Sequence, residues 1–515
     1  VALLSATVAM WNIQVPTPWL DESVTLLVMQ RSWSQLFLLF AGGDSPLTPY
    51  YFVAKVAVSM LPWLRPLVAI RIVSALAMTG AAVCLFALVA RRAGLGPALL
   101  ASAFLVSLPG WSRYAQEARP YGLLVLATTA SWLAWDSWQR SENQRPIRAA
   151  DWLAGGIWGP LRYAACLAAS VVTHLFGFLL WPAQLLADLT TPHISWTHRW
   201  RRVVTSASAM LAALLLACVP VVLALTHGAG PQISNDRVGR VTILTKITEA
   251  FTTDGEDPWP VLILAILAVI AVLAYALRLR LARRYRDLLR ILLLWLLVPI
   301  ALAAAAGLLR PALSMSRYFV PALPAASALA AVGLVMLAEG GYRLLSRLRT
   351  SSPRTHQLRS VLALGAAAVL IAAPFLVHAQ LNLSLEATIR KINGHSMSPN
   401  RALKQIDQML KKDPGMPVAI HPCTWSTIII AARPELKDRN PLCRVNQDSS
   451  NPFPIDTTAT DVQAATAGHN SAVWLEGMTG KQTRTLAPVR LINAGFRLSN
   501  LHYAGDDWWI ADLNR

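Results

Sequence analysis

Apolar runs of about 20 residues, the length a helix needs to cross a hydrocarbon core, recur along the chain as far as residue 380. In lipid the backbone must satisfy its own hydrogen bonds, so runs like these read as transmembrane helices. Composition agrees. Of 515 residues 55% are hydrophobic and only 14% are charged, against roughly 25% charged in soluble domains. Spans are predicted at 1–15, 66–90, 96–112, 120–138, 152–173, 175–190, 203–225, 259–278, 290–309, 318–338 and 359–379. The first residue is Val1 and the first span is short, which points to residues preceding it; that run reads as a retained span, not a cleaved signal.

Charge orients these spans. The net charge is +19, and residues 380–515 hold 15 Lys/Arg against 12 Asp/Glu, so the surplus belongs mostly to the membrane part. A basic chain can contact nucleic acid. Here the arginines instead fill loops: Arg91-Arg92, Arg140 to Arg148, Arg199 to Arg202, Arg278 to Arg290, and Arg343 to Arg359. All of these fall on one side of the eleven-span arrangement, which makes that side cytoplasmic. The expectation is a multi-pass plasma membrane protein with a cytoplasmic N-terminus, an extracytoplasmic C-terminal domain and no nucleic-acid partner.

Residues 1–379 form the expected membrane domain. Its outer loop 16–65 holds two amphipathic stretches, 23–40 and 48–64, read as interfacial or re-entrant helices. Counting 48–64 as a span would invert the next basic loop, and it carries Lys55. The loop 226–258 is polar, and its Asp254, Glu256 and Asp257 read as a solvated face more readily than as a cation site. Residues 380–515 form the second domain, with a helical pattern over Ala402 to Leu410 and candidate strands at 417–421, 471–476 and 508–513. That alternation suggests a small α/β domain. Its Trp425, Trp474, Trp508 and Trp509 read as core residues, with stacking on sugar rings as the alternative. Cys84, Cys166 and Cys218 lie in apolar spans and read as packing residues. Cys423 and Cys443 lie in the polar tail, where an oxidising compartment favours a disulfide.

Polar residues gather at outer span ends. Asp21-Glu22 follows the first apolar stretch; ionised carboxylates there suggest a functional site, and Asp21 as N-cap of the next helix is the plainer reading. A second cluster runs from Gly43 through Asp44 and Pro46 to Pro49-Tyr50-Tyr51. A third runs from Arg113 through Gln116, Glu117 and Arg119 to Pro120-Tyr121. The fourth is Ser316-Arg317-Tyr318-Phe319-Val320-Pro321. Carboxylates can serve as a base, and arginines offer planar, always-charged donors for phosphate. Alternatively, Arg113, Arg119 and Arg317 snorkel to headgroups, Glu117 and Arg119 form a local ion pair, and His174 is a structural hydrogen-bonding residue.

In these residues the chain resembles the membrane glycosyltransferases of the GT-C class, in the branch of protein O-mannosyltransferases and lipid A aminoarabinose transferases. That branch has Asp-Glu in the first outer loop, a Pro-Pro-Leu-Tyr-Tyr-like helix start, Gln-Glu-Ala-Arg-Pro-Tyr, a His-Phe-Gly-like turn and Arg-Tyr-x-x-Pro-x-x-Pro. Here these read Asp21-Glu22, Pro46 to Tyr51, Gln116 to Tyr121, His174 to Gly177, and Arg317-Tyr318 with Pro321 and Pro324. The resemblance covers about residues 10–340. It departs at Asp44-Ser45-Pro46, where many relatives have a His-Pro-Pro or Lys-Pro-Pro, so the acceptor side is expected to differ.

The resemblance implies sugar transfer, with inversion, from a polyprenyl-phosphate donor on the outer leaflet to an envelope glycan, lipid or protein. Asp21 would be the general base and Glu22 would orient it. Arg119 and Arg317, with Tyr121 and Tyr318, would bind the donor phosphate. Asp44, Tyr50, Tyr51, Lys55, Gln116, Glu117 and His174 would contact donor or acceptor. No cofactor is expected; a divalent metal serves some members of the class, but no outer acidic trio here has clear ligand spacing. Mannose, arabinose, galactose or an amino sugar would fit. A transporter or flippase of lipid-linked sugars fits many spans with buried charge, although no internal repeat is visible. A non-catalytic assembly scaffold built on the tail is the other alternative.

Overall fold

The apolar runs form helices, as the need to satisfy backbone groups in lipid requires. The computed structural model describes residues 1–42, 44–143, 158–192, 194–226, 243–252, 259–309, 315–346, 353–391, 399–477, 489–505 and 508–515. The acidic residues Asp254, Glu256 and Asp257 lie outside them. Among the described residues, five helices are long and apolar enough to cross a membrane: Pro66–Ala93, Trp196–Val219, Ala282–Leu308, Ser316–Leu344 and Val361–Gln380. The pair Leu95–Val106 and Pro109–Ala115, bent by 69°, makes a sixth if it is one broken span. Helices also occupy the predicted spans 120–138, 152–173, 175–190 and 259–278, as Tyr121–Asn143, Trp158–Thr173, Leu180–Thr190 and Trp259–Ala276.

The chain divides into two compact units. The first comprises Val1–Trp11, Arg71–Val219 and Ile233–Thr388. Its most enclosed candidate span is Ser316–Leu344, whose helix Leu323–Ser346 packs against Trp259–Ala276, Leu95–Val106 and Arg286–Leu309. Gly333 permits the first of these contacts. A Cβ there would come within 1.9 Å of the Leu267 carbonyl oxygen, so the two backbones meet where only glycine fits. Trp132 lies between Trp135 and Trp295, with ring centroids 5.4 and 5.6 Å away.

Helix Tyr121–Asn143 has a polar end of its own. Asp136, fully buried, takes hydrogen bonds from Arg92 Nε at 2.6 Å and from Arg140 Nε at 3.3 Å. Arg91 donates to Ser137 Oγ at 2.6 Å. These arginines come from the basic loops. Tyr121 starts the same helix, fifteen residues and therefore about 22 Å from Asp136. The basic belt and the Gln116–Tyr121 motif thus sit at opposite ends of one helix.

The polar loop expected over 226–258 contains a helix, Ile243–Thr252. Ala250 and Phe251 are buried, and the helix packs on Pro109–Ala115 and on the 3-10 segment Ser316–Ala322. Its apolar positions recur at helical spacing, a pattern the flanking polar residues obscure.

The second unit comprises Asn12–Ile70, Pro220–Gln232 and Ile389–Arg515. Its strands are β1 Val418–His421, β2 Cys443–Arg444, β3 Ile455–Asp456, β4 Ser471–Gly477, β5 Arg497–Gly505 and β6 Trp508–Asn514. The main sheet has the order β1-β4-β6-β5, with β1 and β4 parallel and the other pairs antiparallel. Side chains alternate between its faces. Val418, Ile420, Val473, Leu475, Trp508 and Ile510 enter one core with helices Asn400–Lys412 and Cys423–Ala432. Ala419, Ala472, Trp474, Ala511 and Leu513 enter the other. Trp425, Trp474 and Trp508 are therefore core residues. Cys423 and Cys443 form a disulfide, Cα–Cα 5.4 Å, tying the start of one helix to β2.

Helix Leu20–Met29 belongs to this unit and packs against Cys423–Ala432. It is largely enclosed there. Glu22 to Thr25 and Leu27 to Met29 are buried, because apolar side chains occur on most of its circumference. The Arg31 guanidinium, 3% exposed, fastens the next turn. It donates to the carbonyl oxygens of Ser449 and Asn451 at 2.7 Å each and of Asn446 at 3.4 Å. Exposed apolar surface appears instead on the following elements. Trp33, Phe37 and Phe40 gather around Phe52, and Val53, Val56, Met60 and Trp63 are exposed.

Candidate active site

In the first unit, three motifs far apart in sequence converge. Gln116 to Tyr121 leave helix Pro109–Ala115 and start the next one. The Ser74 hydroxyl supports this turn, donating to the carbonyl oxygens of Glu117 at 2.6 Å and Arg119 at 3.3 Å. His174 caps the 3-10 segment Leu175–Leu179. Gly177 lets that segment fold tightly against the preceding helix, since a Cβ would meet the Ser170 carbonyl oxygen at 2.2 Å. Arg317 and Tyr318 lie in the 3-10 segment Ser316–Ala322.

Aromatic rings join the three. Tyr121 stands edge-on to Tyr114 at 5.6 Å and lies 5.8 Å from the His174 ring. His174 is 5.6 Å from Tyr318, which stacks on Phe176 at 3.8 Å. The Arg317 guanidinium carbon lies 5.8 Å from the Tyr121 ring centre, within cation–π range. Arg119 is 7% exposed.

Part of the His174 surface remains open, but three rings enclose most of it. That burial, with the positive charges of Arg317 and Arg119, pushes its pKa down to about 3. Its Nδ1 accepts from the Phe176 N–H at 3.2 Å, which assigns the proton of the neutral ring to Nε2. Two arginines, a neutral imidazole donor and tyrosine hydroxyls make a patch suited to a phosphate-bearing ligand.

Gln116 and Glu117 are fully enclosed here, at 0% and 1% exposure. The Gln116 amide donates to the carbonyl oxygens of Ala9 at 3.0 Å and Trp11 at 2.7 Å, anchoring the first helix.

The second unit carries the remaining predicted residues. Trp19, not Asp21, is the N-cap of helix Leu20–Met29, and Asp21 lies in its first turn. Glu22 takes the capping role: its carboxylate accepts from the Trp19 N–H at 3.4 Å. Asp21 is partly exposed, whereas Glu22 is completely buried. The Tyr51 hydroxyl donates to Asp44, and the Tyr50 and Tyr51 rings are buried side by side at 6.1 Å. Lys55 Nζ donates to the carbonyl oxygens of Met29 at 2.6 Å and Arg31 at 2.8 Å. It closes the C-terminal end of the helix that Glu22 closes at the other.

Sequence reasoning missed Tyr114, Phe176 and Arg31. Tyr114 and Phe176 lie inside quoted motifs and were visible as aromatics; nothing in the sequence pairs Arg31 with a loop more than 400 residues away. Among the described residues no three His, Cys, Asp or Glu side chains form a metal-binding group.

A mostly helical unit, together with a mixed-sheet unit into which residues 12–70 pack, makes a fold shared with solved GT-C structures. The chain overlays ArnT from Cupriavidus metallidurans in its apo state with a TM-score of 0.57 at 16% identity, covering 99% of this chain and 96% of that one. It overlays the same protein bound to undecaprenyl phosphate with a TM-score of 0.53 at 15% identity, over the same shares. The Archaeoglobus fulgidus oligosaccharyltransferase tethered with an acceptor peptide gives a TM-score of 0.48 at 12% identity, over 84% of this chain and 63% of that one. No protein-family model and no curated protein matches the sequence.

Proposed function

We propose that this protein is a glycosyltransferase that moves a sugar from a polyprenyl-phosphate donor to an envelope glycan, lipid or protein, with inversion. The observation that carries the reading is the meeting of Arg119, Tyr121, His174, Arg317 and Tyr318 in one cationic, aromatic patch. The shared fold with a protein that binds undecaprenyl phosphate supports the choice of donor.

In this mechanism the acceptor oxygen attacks the anomeric carbon and the carbon–oxygen bond to phosphate breaks. Asp21 takes the acceptor proton, and polyprenyl phosphate leaves with the bonding electrons. Arg119 and Arg317 stabilise the charge that develops on the departing phosphate. Tyr121, Tyr318 and the His174 Nε2–H add hydrogen bonds. Glu22 holds the helix start and so orients Asp21, and the Asp44–Tyr51 pair with Tyr50 shapes the acceptor side. Lys55, Gln116 and Glu117 keep these elements in place.

Orientation and span count belong to the same proposal: eleven crossings, a cytoplasmic N-terminus and an extracytoplasmic second unit in the plasma membrane. The tail disulfide supports the outer placement. The arginine belt at the far end of helix Tyr121–Asn143 supports the inner face.

The test is turnover in nanodiscs with a panel of radiolabelled polyprenyl-phosphate sugars and membrane extract as acceptor. Asp21→Asn should lower transfer about 10²- to 10⁴-fold, the contribution typical of a general base, with donor binding retained. Unchanged transfer in Asp21→Asn would move the base elsewhere. Wild type that neither binds nor turns over any donor would leave a transporter or a scaffold.

A further inference from the structure

The second unit holds a cavity of about 930 Å³ beside helix Asn400–Lys412. Arg390, Lys391, Arg401, Lys404 and Arg433 line it, and Asp407 is its one carboxylate. Arg433 is ion-paired with Asp407 and, at 3.1 Å, with Glu435. Among the lining side chains, five cations thus stand beside one carboxylate. Lys391, Arg401 and Lys404 are exposed, whereas Arg390 is only 4% exposed.

This arrangement follows from the helix. Ala402, Leu403 and Ile406 face the core, so Arg401 and Lys404 must lie on the other side. The first turn carries no acidic residue and no side chain caps it, so its partial positive charge is not offset there. Guanidinium and ammonium donors converge beside that helix start, with Leu403 and Val15 as apolar lining. A groove that gathers five cations on one side of a helix is suited to a multiply charged oxyanion.

We propose that this cavity is a phosphate-binding site, separate from the Arg119–Arg317 patch and carried entirely by the second unit. Its ligand is a phosphate ester or pyrophosphate group, borne either by a soluble molecule or by an anionic phospholipid. The inference does not depend on the transferase reading, because binding is measured directly.

Full-length protein in phosphatidylcholine nanodiscs is titrated calorimetrically with inorganic pyrophosphate. In a second arm, phosphatidylglycerol replaces part of the lipid and bound lipid is counted by native mass spectrometry. Lys391→Ala/Lys404→Ala, which removes two ammonium donors, should weaken binding by roughly tenfold or more, tenfold being the scale of losing a single charge-assisted hydrogen bond. Lys412→Ala, exposed on the same helix but outside the cavity, should not. Binding of pyrophosphate alone points to a soluble ligand; retained phosphatidylglycerol lost in the double variant points to a headgroup. Wild type that binds neither probe overturns the proposal. So does binding that survives the double variant and vanishes in Arg119→Ala, which assigns the ion to the first unit.

Discussion

A histidine held neutral beside two arginines leaves a mark on stability. Because burial and like charge lower the pKa of His174 to about 3, the unfolded chain, with an ordinary value near 6.5, binds more protons between those limits. Stability should therefore rise with pH across that window and fall as the pH drops below about 6.5. Melting temperatures of wild type and His174→Gln, compared at pH 7 and pH 5, should show a smaller acid loss in the variant. Arg119 and Arg317 make a different test. Lysine keeps the charge but not the planar fork. Arg119→Lys and Arg317→Lys should each weaken donor binding about tenfold or more, measured by competition with unlabelled polyprenyl phosphate. Full affinity in both variants would assign the arginines to headgroup contacts.

At the scale of elements, helix Leu20–Met29 is fixed at both ends by groups to which the resemblance gave other work, Glu22 orienting the base and Lys55 contacting substrate. Glu22 closes its start and Lys55 its end. Arg31 adds three carbonyl contacts to the Asn446–Asn451 loop. Arg31→Ala should cost roughly 3 kcal/mol, the scale of leaving buried carbonyls unsatisfied. Hydrogen exchange should then accelerate in residues 20–38 before the sheet. Cys423→Ser opens a 20-residue linkage and should cost about 3 kcal/mol, seen as a lower denaturant midpoint with the sheet retained. The Asp21 helix and the tail helix were both legible from apolar spacing, and so were strands β1, β4 and β6. Strand β5 was not. Asn500 adopts φ 55 and the register shifts between Ser499 and His502, which breaks the two-residue alternation that marks a strand. Arg31, Lys55 and Gln116 spend their donors on distant backbone carbonyls, which carry no side-chain signature to read.

For the whole molecule, the proposed orientation makes a labelling prediction. Single cysteines placed at Tyr503 and at Arg284 should react differently with a membrane-impermeant maleimide on intact cells. Position 503 should label directly and position 284 only after permeabilisation; the reverse pattern would invert the topology. The span-end motifs were legible because polar residues stand out at the ends of apolar runs, and three of them do meet. The division of the chain was not legible, because it follows packing across long separations in sequence and not hydropathy.

That division has a practical consequence for recombination. The stretch that bears Asp21 and the C-terminal sheet share one core, with Leu20 packed into it. A chimera that exchanges only the tail at a breakpoint near residue 380 would pair a foreign surface with the native Leu20–Leu38 stretch and disturb the helix bearing Asp21. Grafts that inherit residues 12–70 together with 389–515 keep that core intact, so these two stretches should be expected to travel, and to diversify, as one inherited block.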